Sequence, residues 1–213
     1  MAKVRRVSKK KVTIFIIIVL LIIGGIVGGI LLLNHPKKIE PAKVESVDKI
    51  ESYGYTLNNN ATKYYKSLFK DLKEVLDAKE LDEAKYADLI TKLFVADFYN
   101  LDNKLNKNDI GGVQFVYKDF REEFKKIATN SIYKNVENNM YDNRDQKLPI
   151  VTNVSTEKPE TKSFKYGNNT DEKAYSIKFE IEYQDDLEYQ KSGTLTLIHN
   201  NKKLEAAALE WSS

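Results

Sequence analysis

Apolar residues recur at intervals of three and four from Tyr65 to Leu76: Tyr65, Leu68, Phe69, Leu72, Val75 and Leu76. That spacing places them on one face and predicts an amphipathic helix over 60–78, with Asn60 as its N-cap. A second helical period runs from Asp82 to Leu101. Tyr86, Ala87, Ile90, Leu93, Phe94, Ala96, Phe98 and Tyr99 cover more than one stripe there, so this helix is expected to be the most buried. A third helix is predicted over 118–140, with Phe120, Phe124, Ile127, Ala128, Ile132, Tyr133 and Val136 facing inward. Between the second and third, the polar stretch 102–112 ends in Gly111-Gly112 and reads as a loop.

After Tyr141 the period changes to two. Tyr175, Ile177, Phe179, Ile181 and Tyr183 alternate with Ser176, Lys178, Glu180 and Glu182, the pattern of a half-buried strand. Thr194–His199 and Lys203–Trp211 predict two more strands, joined by a tight turn at Asn200-Asn201 that requires positive φ. Ile150–Val154 and Ser163–Tyr166 suggest one longer or interrupted strand before them. The predicted architecture is α+β. Three helices pack on one face of a roughly four-stranded, curved antiparallel sheet, all within an extracytoplasmic domain spanning 51–213.

The N-terminal pattern is of another kind. Val12 to Leu33 is a run of 22 residues without a charge, whose only polar member is Thr13. A helix of that length spans about 33 Å, enough to cross a hydrocarbon core of about 30 Å. A cleaved signal peptide is the rival reading, but the run is long for one and no small-x-small cleavage site follows. We therefore expect a cytoplasmic basic stub over 1–11, a single transmembrane helix over 12–33 and a Pro-containing stalk over 34–50. Lys3, Arg5, Arg6, Lys9, Lys10 and Lys11 precede the run, which retains the N-terminus in the cytoplasm and sends the C-terminal domain outside the cell membrane. Gly24, Gly25, Gly28 and Gly29 form two overlapping G-x-x-x-G patterns, a candidate face for dimerisation within the lipid bilayer.

Composition narrows the chemistry. Of 34 Lys+Arg, six lie in residues 1–33 with no Asp or Glu, so residues 34–213 carry 28 cations against 31 anions, net −3. Nucleic-acid binding by that part has no electrostatic motive. Cysteine is absent and there are two histidines, His35 and His199, which together fall short of a usual catalytic zinc site. His199 beside a turn shows no obvious acidic partner. Asp102, Asn103, Asn106, Asn108 and Asp109 are oxygen donors, yet no register matches a calcium loop, and Gly111-Gly112 lacks the Lys-Ser/Thr of a phosphate loop. No metal and no cofactor are expected.

Two groups of residues remain as candidates. Asp97, Tyr99 and Phe94 near the end of the most apolar helix would line a pocket between helices and sheet. Asp97 there is either a general acid or base or, as we favour, a residue bonding to nearby backbone or a Tyr hydroxyl. Thirteen tyrosines are many for this length, and most fall on inward stripes. Tyr53, Tyr55, Tyr64 and Tyr189 do not, and are candidates for a protein-binding surface.

The order of basic stub, anchor, stalk, three helices and meander resembles membrane-tethered domains of the nuclear transport factor 2-like (cystatin-like roll) fold. The segment LFVADFYNLDNKLNKNDIGGVQFVYKDF, residues 93–120, also resembles one found in uncharacterised membrane proteins of low-GC Gram-positive bacteria. The functional parallels that this resemblance implies are bitopic scaffold proteins of type IV secretion and conjugation machines. No catalytic motif of the fold carries over; only Asp97 and Tyr99 loosely suit the Asp, His or Tyr that line its enzymes. The expectation is a non-enzymatic envelope module that binds another envelope protein or itself. A receptor-like domain holding a small apolar ligand or a peptide is the alternative.

Overall fold

The computed structural model describes residues 42–211. The basic stub, the apolar run and its glycines lie outside them. The described chain is α+β, with three helices packed against an antiparallel sheet. Its elements in chain order are β1 (Ser46–Ile50), β2 (Tyr55–Asn58), α1 (Lys63–Leu76), α2 (Glu83–Phe98), α3 (Arg121–Asn130), β3 (Val151–Thr156), β4 (Glu160–Tyr166), β5 (Asn169–Tyr183), β6 (Ser192–Asn200) and β7 (Lys203–Trp211). No helix among the described residues is long and apolar enough to cross a membrane.

The main sheet has five strands rather than about four. β3 and β4 pair with successive halves of the 15-residue β5, so the interrupted first strand resolves into two short ones on one edge of a long one. β6 takes the other edge of β5 and β7 pairs with β6. Ile177, Phe179 and Ile181 are buried while Lys178, Glu180 and Glu182 are exposed, the two faces that the alternation predicted. Asn201 has φ 55°, the left-handed residue the hairpin needs; the turn is Asn201-Lys202, one position later than expected, with Asn200 still paired to Lys203.

A two-stranded hairpin, β1–β2, is the element the sequence pattern missed. Ser46–Ile50 falls inside the segment expected to be stalk, and the amide of Ala42 already donates to Met140 O at 2.6 Å. Four of the five β1 residues are exposed, so no apolar alternation announces the strand; Ile50 alone is buried. In β2, Tyr55 and Leu57 are buried, so Tyr55 belongs to the core and not to a protein-binding surface. Its hydroxyl meets that of Tyr86 at 2.6 Å, and Tyr86 in turn accepts the Leu204 amide at 3.2 Å, which joins hairpin, α2 and β7.

α1 buries one stripe: Tyr65, Leu68, Phe69, Leu72 and Val75. Its N-cap is Thr62, whose hydroxyl accepts the Tyr65 amide at 3.1 Å; Asn60, expected in that role, instead donates its side-chain amide to Asn103 O. α2 is capped by Asp82 and buries ten of its sixteen residues, because it is wrapped by α1, β3, β5 and β7. α3 is much shorter than the predicted 118–140. Two 3₁₀ turns, Val113–Phe115 and Lys118–Phe120, precede it, and it stops at Asn130.

The stop has a local cause. Asn130 and Ser131 side chains donate to the carbonyls of Lys126 and Ile127, four residues back, where they compete with continued helical bonding. Tyr133 then turns inward and is fully buried. Its hydroxyl donates to Phe98 O at 2.6 Å and accepts the Gly111 amide at 3.0 Å. Tyr133→Phe removes both bonds while keeping the ring, leaving a buried amide and the end of α2 short of a partner. The expected cost is about 1–3 kcal/mol in urea unfolding, with an unchanged m-value.

Candidate functional site

The carboxylate of Asp97, one residue before the end of α2, is the centre of the polar chemistry in the fold. Oδ1 accepts from Lys104 Nζ at 2.6 Å, and Oδ2 accepts the Gly112 amide at 2.7 Å. The loop 103–112 is thereby folded back onto the helix. Leu105 and Asp109 close it internally, with the Leu105 amide donating to Asp109 Oδ2 at 2.9 Å. Arg144 grips it from outside through Lys104 O and Asp102 O. Glycine at 111 is obligatory: a Cβ there would stand 2.1 Å from Asp97 O. Gly112, with φ 76°, lies against the Phe94 ring.

This arrangement bounds a half-open polar cavity of about 70 Å³ between the β1–β2 hairpin, the start of α1, the end of α2 and the loop. Asp97, Lys104, Asn103, Asp109, Tyr65 and Gln114 are the polar side chains on which its chemistry rests. Gln114 docks against β2 as a strand would, accepting the Thr56 amide at 2.8 Å and donating to Thr56 O at 3.1 Å; it also donates to the Tyr65 hydroxyl at 3.0 Å. Burial, reinforced by the nearby Asp97 charge and opposed by the Gln114 bond, pushes the Tyr65 hydroxyl well above the ordinary tyrosine range. It stays a neutral donor at physiological pH.

The three residues expected to line one pocket are not brought together. Asp97 faces the polar cavity, where it accepts the Gly112 amide and pairs with Lys104. Phe94 faces a separate apolar groove and stacks on Phe98 at 5.6 Å. Tyr99 is fully buried against Phe98 and Trp211; burial raises its hydroxyl far above the usual value, and that hydroxyl has no hydrogen-bond partner among the described residues. Of the four surface tyrosines, Tyr55 is interior. Tyr64 is half-buried, its hydroxyl accepting the Val154 amide at 2.9 Å and lying 3.3 Å from Val154 O. Tyr53 is half-buried over Tyr55 with Lys202 Nζ 4.7 Å from its ring, and Tyr189 packs partly buried on the core.

The apolar groove lies between α3 and β7. One part, about 260 Å³, is lined by Phe94, Phe120, Phe124, Ile127, Leu195 and Leu209 among others; an adjoining part, about 420 Å³, adds Phe98, Ile132 and Trp211. Ile127 is 58% exposed and Trp211 47%. α3 buries only Ala128 fully, so it stands off the sheet edge. The sequence stripe named Phe120, Phe124, Ile127 and Ile132, but as core.

His199 is better partnered than its sequence neighbourhood suggested. Asp171 Oδ2 lies 2.6 Å from its amide nitrogen and 2.8 Å from Nδ1, while Nε2 lies 3.3 Å from Glu83 Oε1, the first residue of α2. Tyr175 donates to the same Glu83 carboxylate at 3.1 Å. Asp171 is 28 residues away and reaches His199 only through strand pairing, so no local motif could reveal it. Among the described residues no group of three or more His, Asp or Glu side chains is arranged to hold a metal ion.

No model of a known protein family matches the chain, and neither the curated proteins nor the solved structures yield a significant match.

Two stability experiments follow from this geometry. Lys104 is 5% exposed and Asp97 25%, so Lys104→Met strands a partly buried carboxylate. Breaking a fully buried pair costs about 3–5 kcal/mol; the exposure of Asp97 reduces the expected loss to about 2 kcal/mol, recovered in part by Lys104→Met/Asp97→Asn. Asp171 is raised by burial, but the His199 and Lys173 amides and the His199 ring outweigh this and hold it below the ordinary carboxylate value. A depressed carboxyl stabilises the fold above its unfolded value and loses that contribution as pH falls through the lowered folded one. Asp171→Asn should lower the melting temperature by roughly 2–4 °C at pH 7, about 1 kcal/mol for a domain of this size. The difference from wild type should shrink below pH 3.8.

Proposed function

We propose that this chain is a single-pass membrane protein whose outward-facing domain binds an extended segment of another envelope protein and catalyses no reaction. The observation that carries the reading is the free edge of the sheet beside an apolar groove. β7 is the last strand of the five, and the first half of its outer edge is occupied: the Tyr117 amide donates to Ala206 O at 2.9 Å. From Ala207 to Trp211 no strand covers it among the described residues. An exposed edge with side-chain pockets alongside is the geometry of strand addition, in which backbone bonds supply affinity and the groove supplies selectivity. Phe124, Ile127, Leu209 and Trp211 are the side chains such a segment would meet.

The remaining parts of the reading come from the sequence. The 22-residue apolar run provides the anchor, and the six cations before it set the N-terminus inside. Helices followed by an antiparallel meander are consistent with the nuclear transport factor 2-like fold, and a bitopic scaffold of a secretion or conjugation machine is the matching role. A second reading, a small apolar ligand in the same groove, draws on its lining of aromatic and aliphatic side chains. The two differ in whether the β7 backbone takes part.

A photo-crosslinking residue at Trp211, placed in the full chain in living cells, tests the proposal. The expected result is a discrete adduct with one envelope protein, formed outside the membrane and abolished by Ile127→Asp, a change at an exposed position that leaves the fold intact. Recovery of uncrosslinked monomer alone, or protection of the domain from protease added to intact protoplasts, contradicts it.

A further inference from the structure

What kind of segment fits the free edge of β7 follows from where its side chains point. Leu209 pairs with the fully buried Leu195, and the Trp211 ring rests on Tyr99 at 5.3 Å, so both side chains lie on the helix-covered face and line the groove. Glu210 pairs with Thr194 and, by the alternation of a strand, points to the opposite face, where it is exposed. Outward-facing backbone groups also come at every second residue. Ala206 O faces outward, since it accepts the Tyr117 amide, and the register shift between Ala206 and Ala208 carries that phase over to Leu209 and Trp211. The residues whose backbone is open to a partner are therefore those whose side chains line the groove. A strand pairing there sets alternate side chains over the groove and the others beside Glu210.

The two sides ask for different chemistry. The groove is lined by aromatic and aliphatic residues apart from Ser131 and Glu123, so it takes apolar side chains. The solvent side is biased in charge. Glu210 is the one charged residue of Ala207–Trp211, and it forms no ion pair among the described residues. Glu123 at the groove wall has Lys126 at 3.9 Å, a long contact. Arg121, where the chain blocks the first half of the edge, is taken up by Glu205 and by the carbonyls of Val116 and Gln114. Opposite charges across a strand pair stabilise it and like charges oppose it. β4, on the other side of the sheet, instead carries the exposed Lys162 and Lys165, the usual guard against edge pairing.

Resting on strand addition at β7, we propose that the segment it accepts is cationic: a short extended stretch in which apolar residues, turned to the groove, alternate with lysine or arginine turned to Glu210.

Trp211 is the one tryptophan of the chain, so its fluorescence reports on this site alone. The full chain in a nanodisc of zwitterionic lipid is titrated at low ionic strength with acetyl-Lys-Val-Lys-Ile-Lys-Val-Lys-amide and, separately, with the same peptide carrying glutamate in place of lysine. The basic peptide should shift Trp211 emission to the blue saturably, with half-saturation at least about fivefold below that of the acidic one, and added salt should narrow the gap. Glu210→Lys should abolish or reverse the preference, while Glu172→Lys, the same charge change at an exposed residue of β5, leaves it as it is. Methylating alternate backbone amides of the basic peptide should remove binding in one of the two phases, as edge pairing requires. Equal or tighter binding of the acidic peptide with that loss retained, or equal effects of Glu210→Lys and Glu172→Lys, overturns the charge selection and leaves strand addition standing. Binding untouched by methylation in either phase, or no saturable shift with either peptide, overturns strand addition and the charge selection with it.

Discussion

The carboxylate of Asp97 is the constraint from which much of the local architecture follows. It sits one residue before the end of α2, the helix touched by α1, β3, β5 and β7, and there it holds both Lys104 and the Gly112 amide. Without those bonds the polar loop 103–112 has little apolar surface of its own to pin it. With them, Gly111 is pressed against the Asp97 carbonyl and its amide is delivered to Tyr133. Tyr133 in turn ends the excursion of the chain after α3 by bonding Phe98 O. One ionised side chain thus ties the end of the central helix, the loop after it and the segment following α3 into a single knot.

How much of this could be read from the chain depends on how local each cause is. The stripes of α1 and α2 and the alternation of β5 are repeated signals within one element, and each reappears in the structure. The β6–β7 hairpin is marked by Asn201, a residue type that tolerates positive φ. α3 was overestimated because Phe124, Ile127, Ile132, Tyr133 and Val136 keep helical spacing even though Asn130 and Ser131 bond back to the helix and end it. β1 was hidden by its exposure and β2 by its length of four residues, which misplaced Tyr55 on the surface. The His199–Asp171–Glu83 cluster depends on strand register and helix docking, which no spacing in sequence encodes. The polar cavity was half legible: Asp97 stood out, while Lys104 and Asn103 read as loop residues because nothing local indicates that a lysine will be buried.

The two open features of the domain differ in chemistry, which bears on function. The groove between α3 and β7 is apolar and lies along a strand edge that no strand covers from Ala207 to Trp211 among the described residues. The cavity by Asp97 is polar and small, and two carboxylates, Asp97 and Asp109, line it against the single ammonium of Lys104. Neither resembles a catalytic centre built around an activated nucleophile. Asp97, the carboxylate that looked available for proton transfer, has both oxygens committed to structural bonds. That commitment leaves Asp97 a structural residue.

Native-state hydrogen exchange at Gly112 tests the Asp97 knot most directly. Its amide donates to Asp97 Oδ2 at 2.7 Å in a buried position, so it should exchange only through openings whose free energy approaches that of global unfolding, alongside the core amides of α2. Exchange of Gly112 at the rate of an exposed loop, with α2 still protected, would show that the loop opens on its own and that Asp97 does not hold the knot together.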